Sequence, residues 1–431
     1  MIQAFWFTAY NILVVPFLYV GFRIAGLFNS KVRKGIIGRK AIPGTIRKFR
    51  ESAEGRSSLF IIHCASLGEY EMAKPVIHKL KESHPETRVV LTFFSPSGYE
   101  QVKDKSEADL VTYLPFESVR DLTSFFNTLQ PEKLILTSYE AWPNLIWTAN
   151  RMNIEIYIIS ARMQDFTIKT YPVIRSFYKS IYSCVDHIYP ITNRDKENFS
   201  TYFINKSTVE LSAFGNTRYD QVIKRTEKAA GKNLLPESFR SSVVFVGGSV
   251  WPEDNKVILG PLATFTAEYP DLKFVFAPHE PTQKHLDELI QWCDHNDLDY
   301  ALFSGLPHAE DNIRVILVDV IGQLAEIYHD CDVAFVGGAF TGSVHNVMEP
   351  AVAHCTVLYG PDYQNSDEAE QLIDAKGGFT VSDSMQFEKK MESFLSDKSV
   401  LQEAQENAAR VILRNAGATE KTVQAILDSG L

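Results

Sequence analysis

From Leu59 onward the chain alternates short apolar runs with longer stretches whose apolar residues recur at helical spacing. Runs at 59–64, 88–94, 133–137 and 154–160 predict strands, and 70–82, 119–129 and 165–182 predict helices between them. Strands alternating with helices imply βαβ units and mainly parallel sheets. After "GNTRYD" (Gly215 to Asp220) a polar stretch from Lys224 to Ser241, holding Gly231 and Pro236, marks a domain boundary. The alternation then restarts, with strands expected at 242–247, 273–277, 314–318, 332–336 and 356–359; 386–431 reads as helical without further strands. The expected division is 1–28, 29–220 and 221–431. Two α/β domains of this kind leave a cleft, and ligands bind beyond the carboxyl ends of the strands.

Residues 1–22 depart from this rhythm. They carry no charged side chain and have about the length that crosses a hydrocarbon core, roughly 17–25 residues. Asn11 and Pro16 interrupt the run, which leaves a tilted or re-entrant course open beside a full crossing. A secretory signal would begin with basic residues and end at a small-x-small site, and this segment does neither. Lys31, Arg33, Lys34, Arg39, Lys40, Arg47, Lys48 and Arg50 follow, all before the first acid, Glu51. Such a cluster beside an apolar segment marks the cytoplasmic side and attracts anionic headgroups. The expectation is a single N-terminal membrane anchor with a cytoplasmic body. The alternative is an apolar helix packed on the protein, followed by a solvated basic stretch.

Composition narrows the classes. With 431 residues the chain suits two domains of roughly 200 residues each. Apolar and charged fractions of 45% and 22% are those of a globular protein, not a disordered or polytopic one. A net charge of −10 argues against a general nucleic-acid binder. Five scattered cysteines without a CxxC pair fit a reducing compartment and no thiolate metal site. The chain has no GxxxxGK[ST], no GxGxxG after a strand, no HExxH and no GxSxG.

What it does have is a set of strand-to-helix loops. "VVFVGGSVWPED" is expected to end a strand at Gly247-Gly248-Ser249 and start a helix at Pro252, with Glu253 and Asp254 in its first turn. "VAFVGGAFTGSVHNVMEPAV" is expected to end a strand at Gly337-Gly338 and enter a helix near His345-Asn346, with Glu349 in reach of ribose hydroxyls. Glycines allow close approach of a ligand, and helix-start amides favour phosphate; tight structural turns use the same residues. In "FIIHCASLGEYEMAKPVI" (Phe60 to Ile77), Ser66-Leu67-Gly68-Glu69 matches a capping box, in which the glutamate returns to the serine amide. The same carboxylate, just past a buried strand, is also placed to act as a base. Gly68 in the first helical turn is costly unless something needs close approach.

Together these residues resemble one family, the 3-deoxy-D-manno-octulosonic acid (Kdo) transferases of lipopolysaccharide assembly. The resemblance runs through the N-terminal anchor, "HCASLGEYEMAKPVI", "SYEAWPNLI", "ISARM", "GNTRYD", "GGSVWPED", "APHEP" and "HNVMEPAVAHCTVLYGPDYQNSDEAEQL". It implies an α/β GT-B fold, two Rossmann-like domains facing across a cleft. It also implies inverting transfer without metal or cofactor, from CMP-Kdo as donor substrate to a lipid A precursor. The setting it implies is the cytoplasmic face of the bacterial inner membrane. By motif position Glu69 is the expected proton acceptor, and Glu140 and Arg218 support the transition state. Arg218 stands where the family has lysine. CMP contacts are expected from Pro278, His279, Ile321, Gly322, Gln323, Asn346, Val347, Met348 and Glu349. The family usually has arginine at the place of His279, and "GGSVWPED" lacks its small and acidic run at Pro252. Two rivals are a GT-B enzyme using a UDP-sugar and a membrane-tethered binding protein that turns nothing over.

Overall fold

The computed structural model describes residues 2–52, 58–138, 141–164, 168–204, 209–308 and 313–428. The chain divides into two compact units, Met1–Gln221 with Ala416–Leu431, and Val222–Asn415.

The first unit is built on β1 (Leu59–Cys64), β2 (Arg88–Phe93), β3 (Leu110–Tyr113), β4 (Lys133–Thr137), β5 (Glu155–Ala161), β6 (His187–Pro190) and β7 (Glu210–Leu211). Their order across the sheet is β3-β2-β1-β4-β5-β6-β7. Every pairing is parallel. All six residues of β1 and all five of β4 are buried, because helices cover both faces and leave no solvent side for alternation. Ile61, Leu134 and Leu136 pack into one apolar layer, and Phe60, Ile62 and Ile135 into the other. The order reverses between β1 and β4, which makes their carboxyl ends the switch point where such sheets bind ligands.

The second unit repeats the plan with β8 (Val244–Val250), β9 (Lys273–Pro278), β10 (Tyr300–Leu302), β11 (Val315–Leu317), β12 (Val333–Val336), β13 (Thr356–Tyr359) and β14 (Gly378–Thr380). The order is β10-β11-β9-β8-β12-β13-β14, all parallel, with the switch point between β8 and β12.

Three expectations need correction. The segment 416–428 does not stay with the second unit. Its helix Ala418–Asp428 lies on helix Leu67–Ser83, burying Val423 and Ile426 in the first unit's apolar layer. Asp220 holds it there, accepting from the amides of Gly417 (2.6 Å) and Thr419 (2.7 Å). The apolar helix at the start likewise belongs to the first unit rather than standing apart from it. The helix expected from 165 begins only at Pro172, after a 3-10 turn at Ile168–Thr170; residues 165–167 lie outside the described set.

The apolar N-terminal segment is helical throughout: Ile2–Ala9, a π-helical turn Tyr10–Val14, then Val15–Phe28. Ile2–Phe28 is long and apolar enough to cross a membrane, with a mean hydropathy of 1.8. One face is nonetheless committed to protein. Trp6 donates to Ser176 (3.1 Å), Tyr10 to the Glu117 carboxylate (2.6 Å), and Asn11 exchanges two 2.9 Å bonds with Asn144. Further along, Tyr19 and Phe22 meet Phe116. The other face exposes Ile12, Leu13, Phe17, Val20, Leu27 and Phe28.

Candidate active site

Glu69 stands at the first unit's switch point. Ser66 caps helix Leu67–Ser83, its hydroxyl accepting from the Glu69 amide at 3.5 Å. The Glu69 carboxylate does not close a capping box on Ser66. Its Oε2 accepts from the Ala65 amide at 2.6 Å and from the Thr137 hydroxyl at 3.3 Å. Thr137 ends β4, and its one hydroxyl proton is shared between Glu69 and the His63 carbonyl of β1 (3.1 Å), so the side chain is pinned across the β1/β4 reversal. Glu69 remains half-buried. Gly68 needs no special backbone, and a Cβ there would meet only Ser66 Oγ at 3.9 Å; the glycine keeps the approach to Glu69 open.

Below it, His63 is fully buried, bonded through Nδ1 to Thr92 (3.0 Å) and edge-on to Trp142. Burial pulls its imidazole down to about 3, so it is neutral and serves as scaffold rather than as the base. Glu140 lies outside the described residues. Arg218 is half-buried in the first turn of helix Thr217–Ala229, its amide bonded to Asn216 Oδ1 (3.0 Å). The preceding Thr217 hydroxyl donates to the Met72 carbonyl (2.6 Å), tying this helix start to the helix that begins beside Glu69. The structure thus places Glu69 and Arg218 on two helices that touch.

In the second unit, Pro278 ends β9 and is buried, while His279 is exposed beyond it. The His279 ring stacks against both Trp251 (4.6 Å) and His345 (4.3 Å). The Trp251 indole donates to His345 Nε2 (3.1 Å), linking the loops after β8 and β12 across their switch point. Burial and the neighbouring His279 pull His345 down to about 4, consistent with its accepting role. Ile321 is 83% exposed, and Gly322 has φ +96°. Gln323 directly precedes a short helix, Leu324–Ile327, without capping it through its side chain. Asn346 accepts from the Met348 amide (3.1 Å), and Val347 and Met348 are buried, backbone included.

The glycine loops differ from expectation. β8 runs on to Val250, so Gly247 and Gly248 lie inside the strand. A Cβ on Gly248 would sit 2.1 Å from the Tyr328 hydroxyl; the glycine makes room for a core tyrosine, not a ligand. At Gly337 a Cβ would lie 2.4 Å from the Ser249 carbonyl, and the Gly338 amide is taken by Asp254 Oδ2 (3.0 Å). The helix after β12 starts at Met348 and lasts five residues, too short for the phosphate-binding helix start expected near His345.

Sequence reasoning missed Arg225. Its Nη1 pairs with Glu349 Oε1 at 2.9 Å, and Nη2 reaches the Gly322 carbonyl at 3.4 Å. One guanidinium therefore joins the 321–323 and 346–349 segments, which only the family resemblance had grouped. Its spacing of seven residues from Arg218, two helical turns, was the available signal.

Two doubly wound parallel sheets, each with its own switch point, make an α/β fold of the GT-B type. The fold is shared with UDP-GlcNAc 2-epimerase from Neisseria meningitidis, at a TM-score of 0.59 and 14% identity over 86% of this chain and 100% of that one. The chain is an enzyme related to the Kdo transferases: residues 41–221 match the model described as 3-Deoxy-D-manno-octulosonic-acid transferase (kdotransferase). A 3-deoxy-D-manno-octulosonic acid transferase of Haemophilus influenzae is 23% identical over 98% of this chain and 97% of its own length. A bifunctional glycosyltransferase/methyltransferase of Fusobacterium nucleatum is 27% identical over 78% of this chain, which spans about half (53%) of that relative's length.

Proposed function

We propose that this Kdo transferase moves Kdo from CMP-Kdo to a hydroxyl of a lipid A precursor, with inversion and without a metal ion. The acceptor oxygen bonds to the anomeric carbon as the bond from that carbon to the CMP phosphate oxygen breaks. The hydroxyl proton passes to Glu69, and the electron pair leaves with CMP. Attack opposite the leaving group inverts the centre, and the transition state is oxocarbenium-like. Arg218 and Glu140 stabilise charge that develops during the step, Arg218 on the phosphate and Glu140 on the sugar. CMP is held by the backbone and side chains of 278–279, 321–323 and 346–349.

The observation that carries this reading is the placement of Glu69. It sits at the carboxyl end of β1, at the β1/β4 reversal, half-exposed and with Oε2 oriented by Ala65 and Thr137. A carboxylate fixed this way presents a defined lone pair to an incoming hydroxyl. The enzyme works at the cytoplasmic face of the bacterial inner membrane, held by its apolar N-terminal helix.

Mass spectrometry of a lipid A precursor incubated with CMP-Kdo and the full chain tests the proposal. A product heavier by one or more Kdo residues, with matching CMP release, is expected. CMP should also protect the protein from thermal unfolding where UDP does not. Protection by UDP alone would point to a UDP-sugar donor, and protection by CMP without product would point to a binding protein.

A further inference from the structure

A cavity of about 250 Å³ opens in the first unit, apart from every residue assigned above. Helices Ser30–Lys40 and Ile42–Glu51 form one side, and helix Val119–Leu129 with Pro115 and Phe116 forms the other. Its lining is divided by chemistry. Ile42, Ile46, Phe116 and Phe125 are apolar, whereas Arg39, Lys40 and Arg47 bring three cations against the single carboxylate of Asp121. The excess is two positive charges.

Arg39 is the built element. Its Nε donates to the Leu114 carbonyl (2.9 Å), Nη1 to Gly35 (3.1 Å) and Nη2 to Phe94 (2.9 Å). The guanidinium also lies over the rings of Phe94 and Phe116, each at 4.7 Å. Among the described residues no carboxylate pairs with it. Burial pulls it down to about 10, which leaves it charged at neutral pH. A guanidinium has five N–H donors, and three carbonyls account for three of them. An oriented cation with donors to spare and no counter-ion is a site for an anion.

The apolar wall says which kind. Phe116 is shared with the N-terminal helix, packing on Tyr19 and Phe22, and that helix exposes Phe17 (77%), Leu27 (73%) and Phe28 (87%) on its outer side. A free anion would use the charges and leave this surface idle. A phosphate carried on acyl chains uses both. We propose that this cavity binds the phosphate headgroup of an acyl-chain lipid, with the chains following the N-terminal helix. The proposal rests on the membrane association above and not on the transfer chemistry.

Binding is measured by native mass spectrometry on the full chain released from mild detergent, with no donor present, so a failure of Kdo transfer would not move the readout. The probes are short-chain phosphatidylglycerol, short-chain phosphatidylcholine, inorganic phosphate and a phosphorylated lipid A precursor. Phosphatidylglycerol should bind at least ~tenfold tighter than phosphatidylcholine or inorganic phosphate, and the exposed-cation double variant Lys40→Gln/Arg47→Gln should lose ~tenfold or more of that affinity. Ser124→Trp fills the cavity without touching a charge and should lose it too. Lipid A precursor binding that falls in the same variants identifies the acceptor as an occupant; binding that is retained identifies a bilayer phospholipid. Equal binding of phosphatidylcholine, inorganic phosphate as tight as phosphatidylglycerol, or full affinity in both variants would overturn the proposal.

Discussion

Glu69 and Asp254 hold the same position in the two units. Each is the third residue of the helix that follows the unit's first strand, and each reaches across the point where the sheet order reverses. Their surroundings separate them. Glu69 is half-buried and spends Oε2 on the Ala65 amide and the Thr137 hydroxyl. Asp254 is fully buried, and its Oδ2 accepts from both the Trp251 amide (2.8 Å) and the Gly338 amide (3.0 Å). Burial holds its carboxyl above the ordinary range. One carboxylate stays half-exposed with Oε2 oriented by its neighbours; the other has become a rivet between two loops. Position in the fold nominates a residue, and burial separates a carboxylate that stays accessible from one sealed against its own backbone.

The sharpest break of that contrast is Glu69→Gln. Transfer should fall by ~10²–10⁴-fold, the usual worth of a general base, with the melting temperature nearly unchanged. Near-full turnover, or loss only through unfolding, would make Glu69 a second rivet. Arg218→Ala should lower kcat by ~10²-fold while CMP affinity stays within a few-fold, because charge on the leaving group appears only in the transition state. An unchanged kcat with poor CMP binding would assign Arg218 to ground-state binding instead.

Glu117 extends the comparison to a third carboxylate. It takes the Tyr10 hydroxyl at 2.6 Å, and burial pushes it up to about 7 from an ordinary 4.5. The folded chain therefore holds a proton that the unfolded chain has released. Stability contributed below about 4.5 is lost as pH rises through about 7. Denaturant midpoints across that window should fall for the wild type, and Glu117→Gln should flatten the slope, by about 3 kcal/mol in total. An identical slope in the variant would remove Glu117 as its source. Asp254→Asn should cost about 1–3 kcal/mol in unfolding free energy while kcat holds. A loss of kcat at full stability would move Asp254 into the active site. The smallest effect is expected from Arg225→Ala: a loss of ~0.5–1 kcal/mol for an ion pair that is 39% exposed on the arginine side, read as a small rise in the CMP dissociation constant. No change would free the 321–323 and 346–349 segments from this link.

How much of this was legible varies by element. β1, β4 and β13 were read from the chain to the residue, since buried parallel strands appear as unbroken apolar runs. β3, β6, β10 and β14 escaped, being three or four residues long and partly polar, and β7 has only two residues. The return of 416–428 to the first unit could not be read at all, because periodicity shows that a helix has an apolar face and not which sheet receives it. For the candidate site, motif order nominated Glu69, but only the folded structure distinguishes Ala65 from Ser66 as a partner of its carboxylate. The glycine pairs misled for a related reason. Tyr328 and Asp254, which fill the space they leave, are distant in sequence from one or both pairs.

The latch between Asp220 and the 417–419 amides bears on how the chain is made. During synthesis the first unit emerges early, yet the helix that covers Ile77 and Leu80 reaches it only after all 194 residues of Val222–Asn415 have left the ribosome. Until then an apolar stripe on the nascent half lies open to solvent and to chaperones. Completion of the first unit is thereby timed by the second.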